Sequence, residues 1–413
     1  MSSDASDAPG PRGAAGPAAR TGTGYRAVFA VREFRAVFAA HVLSLLGNVV
    51  AQLALAVLVL RETGSPLLTA LAFAIGLLPY ALGGTLLAPL ADRFPARRTL
   101  VGCDLLCAVC VAAMAVPGVP TAALLALRAL TALVAPLFTG VRAASLGEVL
   151  HGDSFVLGRS LLRLVAQSGQ IAGFAAGGLL LAAVGPRTAL AATAAGFAAS
   201  AAVLRFGTRE RRPPARERTA GGAGALPADR RVRALLGLCW VPPVFMVVPE
   251  ALAAPYARQI GTGPAGTGLL LAAMPLGAVA GEAAAGALLG PAARERLVLP
   301  AAVLLPLPLV AFAWRPALVP ALAALVLTGL CAVYALGLDR WYLDAVPREL
   351  RGRAMTVMSA GLMTTQGLGM AAGGAAAEWA PPHAVVAGAG LLGTVCAAAA
   401  AWFVRMCPVS RIE

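Results

Sequence analysis

Read for polarity alone, the chain is a succession of apolar stretches broken by short polar or Gly/Pro-rich segments. An α-helix needs about 20 apolar residues to cross a bilayer core of about 30 Å. Twelve stretches of that kind are readable: near 36–60, 67–90, 99–118, 119–141, 157–183 and 186–205, then near 233–257, 265–289, 297–314, 316–338, 352–378 and 382–404. They are Ala-rich and apolar all round, so length and Gly/Pro punctuation define them rather than helical period. The alternation over about ten residues that marks a membrane β-barrel is missing. The pattern predicts an all-α integral membrane protein: twelve transmembrane helices in two pseudo-symmetric six-helix bundles.

A repeat supports the division in two. Residues 173–178 read GFAAGG and residues 369–374 read GMAAGG, an offset of 196 residues. The same offset joins Pro79 (LLPYALGG) to Pro275 (AAMPLGAVAG), and Pro186 to Pro382. Tandem halves of apolar helices are the ground plan of many secondary transporters, whose binding site lies between the halves near the midplane. The expected organisation is a disordered tail over 1–24, a first bundle over 25–206, a linker over 207–232, a second bundle over 233–405 and a tail over 406–413. The first tail lacks an apolar core region, which argues against a cleaved signal peptide. The linker, GTRERRPPARERTAGGAGALPADRRV, is charged and then Gly/Ala/Pro-rich, the composition of a flexible connection.

Composition agrees with a membrane setting and adds an orientation. The chain is 59% hydrophobic and 13% charged, too little polar surface for a soluble protein of this length. All 33 basic residues are Arg. Arg61, Arg187, Arg258 and Arg315 fall in loops on one side, Arg128 falls inside a segment, and the remaining 28 fall on the other side. This asymmetry is the positive-inside pattern. It explains the formal net charge of +14 without nucleic acid, and it puts both termini in the cytoplasm; the expected setting is a bacterial inner membrane. The seven cysteines lie in helices or on that same side, where disulfides are not expected. Cys103, Cys107 and Cys110 share a helix face, from which spacing points Asp104 away. The three histidines show no metal-ligand spacing. A phosphate-cradling GxxxxGK[ST] run is missing, so ATP does not drive this chain directly. No cofactor is expected, and no convergent His/Asp/Glu set suggests an enzyme.

Two stretches carry a family resemblance. Residues 88–100, APLADRFPARRTL, resemble the loop signature of the major facilitator superfamily between its second and third helices, with Asp92, Arg93, Arg97 and Arg98 at or next to the charged positions. Ala88 and Pro95 stand where Gly is common, and Ala96 shifts the basic pair by one. The fifth segment, SGQIAGFAAGGLL, resembles the antiporter signature of that superfamily, with Gly169, Gly173, Gly177 and Gly178 in place and Phe174 where proline is usual. Longer stretches, among them FRAVFAAHVLSLLGNVV and PRELRGRAMTVMSAGLMTTQGLG, resemble the bacterial drug- and siderophore-efflux branch. The resemblance implies alternating access, a gating loop at Asp92–Arg98 and export of a small molecule.

Polar groups inside the membrane are costly and mark function. Asn48 and Gln52 lie in the first segment, Arg128 in the fourth, Gln167 and Gln170 in the fifth, and Gln366 in the eleventh. These are the candidates for the substrate cavity. Asn48 stands where relatives carry an acid, and an amide cannot titrate. The candidates for proton coupling are therefore Glu250, Glu282 and Asp104. The function expected is a proton-coupled exporter of an amphipathic or lipophilic compound, such as a drug, siderophore or natural product. Its partners are the cargo, protons and the bilayer, and the protein is expected to act as a monomer. An importer of a small polar solute, or a transport-inactive membrane protein, would show the same broad pattern.

Overall fold

The computed structural model describes residues 25–79, 83, 86, 87, 93–150, 153–210, 229–347 and 350–407. The regular elements described are all helical. In the first half these are α1 (Tyr25–Ala30), α2 (Arg32–Thr63), α3 (Pro66–Ala74), α4 (Ala96–Ala115), α5 (Thr121–Val149), α6 (Asp153–Val184) and α7 (Pro186–Gly207). The second half has α8 (Arg230–Met246), α9 (Val248–Ala251), α10 (Ala253–Gln259), α11 (Gly263–Leu288) and α12 (Pro291–Leu304). Then follow α13 (Leu318–Leu330), α14 (Tyr334–Asp344), α15 (Arg351–Ala376) and α16 (Pro382–Met406). A 3₁₀ helix at Leu307–Trp314 extends α12, and a 3₁₀ turn at Cys331–Val333 joins α13 to α14.

Among the described residues, ten stretches are helical, long and apolar enough to cross a membrane. The expected segments 67–90 and 352–378 are not among them. The first is only partly described. The second is one 26-residue helix, α15, whose Thr364, Thr365 and Gln366 lower its apolar content. The expected segment 233–257 is three pieces: Pro242 and Pro243 interrupt the backbone bonding of α8, and Pro249 opens α9. Proline also sits at the first turns of α3, α7, α11, α12 and α16, while Pro136, Pro275 and Pro300 lie inside α5, α11 and α12. Residues 1–24, 211–228 and 408–413 lie outside the described residues, as does Asp92.

The repeated glycines do the same work twice. Gly173 and Gly177 of α6 seat on α2, against Val49 and against Val50 and Leu53. Their counterparts Gly369 and Gly373 of α15 seat on α8 and α9, against Val244 and Val248. The third member turns across to the other half. A Cβ built on Gly178 would lie 2.8 Å from Gly268 Cα on α11, and one on Gly374 would collide with Ala70 and lie 3.2 Å from Leu67 Cα on α3. Gly169, one turn earlier, packs on Leu45 of α2. In lipid, helices associate by close packing rather than by a hydrophobic drive, so side chains this small decide where backbones meet.

The α6–α11 and α15–α3 contacts both lie towards the end of the molecule that carries Arg61, Arg187, Arg258 and Arg315. We call this the arginine-poor end. At the opposite end, Arg97 and Arg98 pair with Glu210, each at 2.5 Å, and Arg340 pairs with Glu295 at 2.9 Å, each within its own half. The halves are thus closed against each other at the arginine-poor end. Gly268→Val should open that closure, because a side chain there meets Gly178 and the Phe174 carbonyl, an overpacking of about 1–3 kcal/mol. Labelling of a cysteine introduced at residue 264 by an impermeant maleimide should rise. Unchanged labelling would mean that the glycine contact does not hold the closure.

Candidate functional site

A cavity of about 370 Å³ lies between the halves, one or two helical turns from the closure. Both halves supply its polar lining: Gln52 from α2, Gln167 and Gln170 from α6, Glu250 from α9 and Gln366 from α15. The wall is otherwise apolar, with Phe174 and the methionines 246, 274, 363 and 370. Methionine side chains are flexible and polarisable and adapt to differently shaped ligands. Glu250 lies on α9, beyond the Pro242–Pro243 pair of α8, and lines the cavity. Among the described residues no cation and no hydrogen-bond donor reaches its carboxylate. Four amides and one acid therefore face an apolar chamber, which suits a ligand with dispersed polar groups and large apolar area.

Asn48 and Arg128 do not join this group. They line a second cavity of about 190 Å³ within the first half, between α2, α4, α5 and α7. Arg128 Nη1 donates to Asn48 Oδ1 and Thr131 Oγ1, each at 3.4 Å. Asp104 also faces this cavity, beside Cys103 and Cys107. Asp104 therefore does not point away from those cysteines, contrary to the expectation from helical spacing: α4 packs closely on α7, and Ser200 of α7 and Ser44 of α2 donate to the Asp104 carboxylate at 2.5 and 2.9 Å. His41 Nδ1 and Arg142 Nη1 meet at 2.5 Å. Glu282 is half-buried on α11 and lines neither cavity.

In the expected gating loop, Asp92 lies outside the described residues. Arg93 is exposed, while Arg97 and Arg98 both bond Glu210, just beyond α7. Arg97 also donates to the Thr208 carbonyl at 3.3 Å. The basic pair is thus tied to the end of its own half.

One polar contact between the halves escaped the sequence reading. Glu378, after α15, accepts from Ser65 Oγ at 2.5 Å and from the Leu67 backbone N–H at 3.0 Å. Ser65 is the N-cap of α3 and itself accepts from Leu68 N–H at 3.1 Å. A carboxylate at a helix N-terminus meets unsatisfied N–H groups and the positive end of the helix dipole. These bonds hold the Glu378 carboxyl below its ordinary pKa.

A sequence profile of the Major Facilitator Superfamily matches residues 37–253. The chain belongs to that superfamily. It is therefore a multi-pass membrane transporter with a small-molecule substrate, and not an enzyme. No curated protein sequence matches the chain. Its fold resembles several solved transporters. One is a peptide transporter POT in complex with sulfate, with TM-score 0.70, 14% identity, and 91% of this chain and 94% of that one covered. The nucleoside transporter NupG gives TM-score 0.70, 14% identity, and 90% and 99% coverage. A bacterial homolog of the human lysosomal transporter Spinster, inward-facing and occupied, gives TM-score 0.61, 16% identity, and 93% and 95% coverage.

The Glu378 contact makes a pH-dependent prediction. A depressed pKa means that the tie needs the ionised form. It is present above the ordinary carboxylate range and is lost as pH falls through the depressed value. Spin labels at Val184 and Val319, both exposed at the arginine-poor end, should report a fixed distance distribution at pH 7. Glu378→Ala should broaden and lengthen it at pH 7, and acidification of the parent should do the same. A variant indistinguishable from the parent would reduce Glu378 to a local cap.

Proposed function

We propose that this transporter is a proton-coupled exporter of amphipathic or lipophilic small molecules, of the kind found in the drug- and siderophore-efflux branch. The observation that carries the reading is the central cavity: an apolar chamber whose polar lining is four amides and one carboxylate, unpaired among the described residues, drawn from both halves of the chain. A lining without permanent cations suits a largely apolar cargo better than a sugar phosphate. Twelve helices form two six-helix bundles, residues 25–206 and 233–405, which rock about the cavity. The arginine-poor end faces outside, so the closure seen here is the inward-facing state. The protein works as a monomer in a bacterial inner membrane, with termini and linker cytoplasmic, as the arginine asymmetry supports.

Glu250 is the proton carrier in this reading. Coupling needs a group that is neutral in one state and charged in another, and Glu250 is the acid in contact with the cargo space. Glu282 and Asp104 remain the alternatives; Asp104 is held by two serine hydroxyls in the other cavity. One proton crossing roughly 150 mV supplies about 3.5 kcal/mol, which sustains a cargo gradient of about a few hundredfold. The Asp92–Arg98 loop acts as the inner gate and Gly169, Gly173, Gly177 and Gly178 as the bearing of α6. A second reading is import of a small polar solute. The four amides favour it, and the fold is shared with a peptide and a nucleoside transporter.

Inverted membrane vesicles test both. An acridine dye should accumulate when a proton gradient is imposed, and Glu250→Gln should lower that accumulation at least tenfold at equal expression. Equal accumulation by the variant would place coupling elsewhere, and a lack of accumulation by the parent with uptake of an external peptide or nucleoside by whole cells would support import. For orientation, a cysteine introduced into the linker of a Cys-free variant should resist an impermeant maleimide in intact cells. Ready labelling would invert the topology.

A further inference from the structure

The smaller cavity contains a buried cation that the proposed export cycle leaves unused. Arg128 is 8% exposed at mid-depth on α5. Its two acceptors, Asn48 Oδ1 and Thr131 Oγ1, are neutral and stand at the long limit of a hydrogen bond, and its Nε has no partner. Its Nη2 lies against Gly76, where any Cβ would collide with it. The charged neighbours are engaged with other groups. Asp104 accepts from Ser44 and Ser200, and Arg142 meets His41. A guanidinium withdrawn from water is costly unless a counter-charge and full hydrogen bonding replace the lost hydration. Among the described residues, Arg128 has neither.

The surroundings suit an anion. The cavity, at about 190 Å³, has room for more than one water-sized group. Guanidinium presents planar paired donors that match a carboxylate. Asn48 spends its carbonyl oxygen on Arg128, which leaves its NH₂ as a further donor towards the same space.

We propose that this first-half cavity is a carboxylate site in which Arg128 supplies the charge and Asn48 a second donor. The ligand is a small organic monocarboxylate, either free or as the head group of an amphipathic cargo. The site does not depend on the direction of transport or on the coupling ion.

Thermal unfolding of the purified full-length protein in detergent, at constant ionic strength in sulfate, tests it. Sodium butyrate should raise the melting midpoint saturably, by several degrees, because a ligand of the native state stabilises it. The neutral isostere butyramide should not. Arg128→Gln should abolish the response. Asn48→Asp builds the anion into the protein, so it should raise the midpoint without ligand and remove the response to butyrate. A response that grows from acetate through butyrate to hexanoate supports the site as a cargo head-group site; equal saturation by acetate supports it as a free-anion site. A parent that does not respond, an equal response to butyramide, or an undiminished response in Arg128→Gln would each overturn the proposal.

Discussion

Close approach of helix backbones at glycine is the constraint on which the rest of this structure depends. Lipid gives helices no hydrophobic reason to associate, so contact must come from fit. In each half, two glycines at the same place in the repeat bring a late helix onto that half's opening helix, and a third brings it onto the other half. The first kind builds a half; the second kind closes one end of the molecule. Because the closing contacts lie beyond the polar residues, the cavity is left on the arginine-rich side of them.

That closure is reinforced at its rim by the Glu378 carboxylate. Glycine contacts are close but non-directional. Glu378 adds direction, since its two bonds reach a helix N-terminus that would otherwise expose unsatisfied N–H groups. Opening that end must return those groups to water, where they are readily solvated. The tie is therefore inexpensive to break and suited to a contact that cycles. Tight apolar packing alone would favour one state more strongly.

Much of this was legible in the chain. The GFAAGG and GMAAGG runs predict equivalent positions, and they occupy equivalent contacts. Gln52, Gln167, Gln170, Gln366 and Glu250 were legible as costly polar residues in apolar segments, and they converge. The rest depends on rotation and on distance along the chain. Asp104 was assigned to the wrong direction because helical spacing says nothing about which neighbour a face will meet. Ser65 and Glu378 are separated by 313 residues, and each looks like an ordinary loop residue. The segment 233–257 reads as one continuous apolar stretch, and its division into α8, α9 and α10 after Pro242–Pro243 emerges only in the fold.

The separation of Asn48 from Gln52 shows how one helix can serve two chambers. One turn apart on α2, they differ by about 6 Å in height. At the height of Gln52, α2 borders the space between the halves; at the height of Asn48, it borders α5 and α4 within its own half. The same helix also receives α6 through Gly169, Gly173 and Gly177. A shift of α2 against α6 would therefore move both chambers at once. Such a shift would link two polar sites that share no lining residue through one glycine-lined interface.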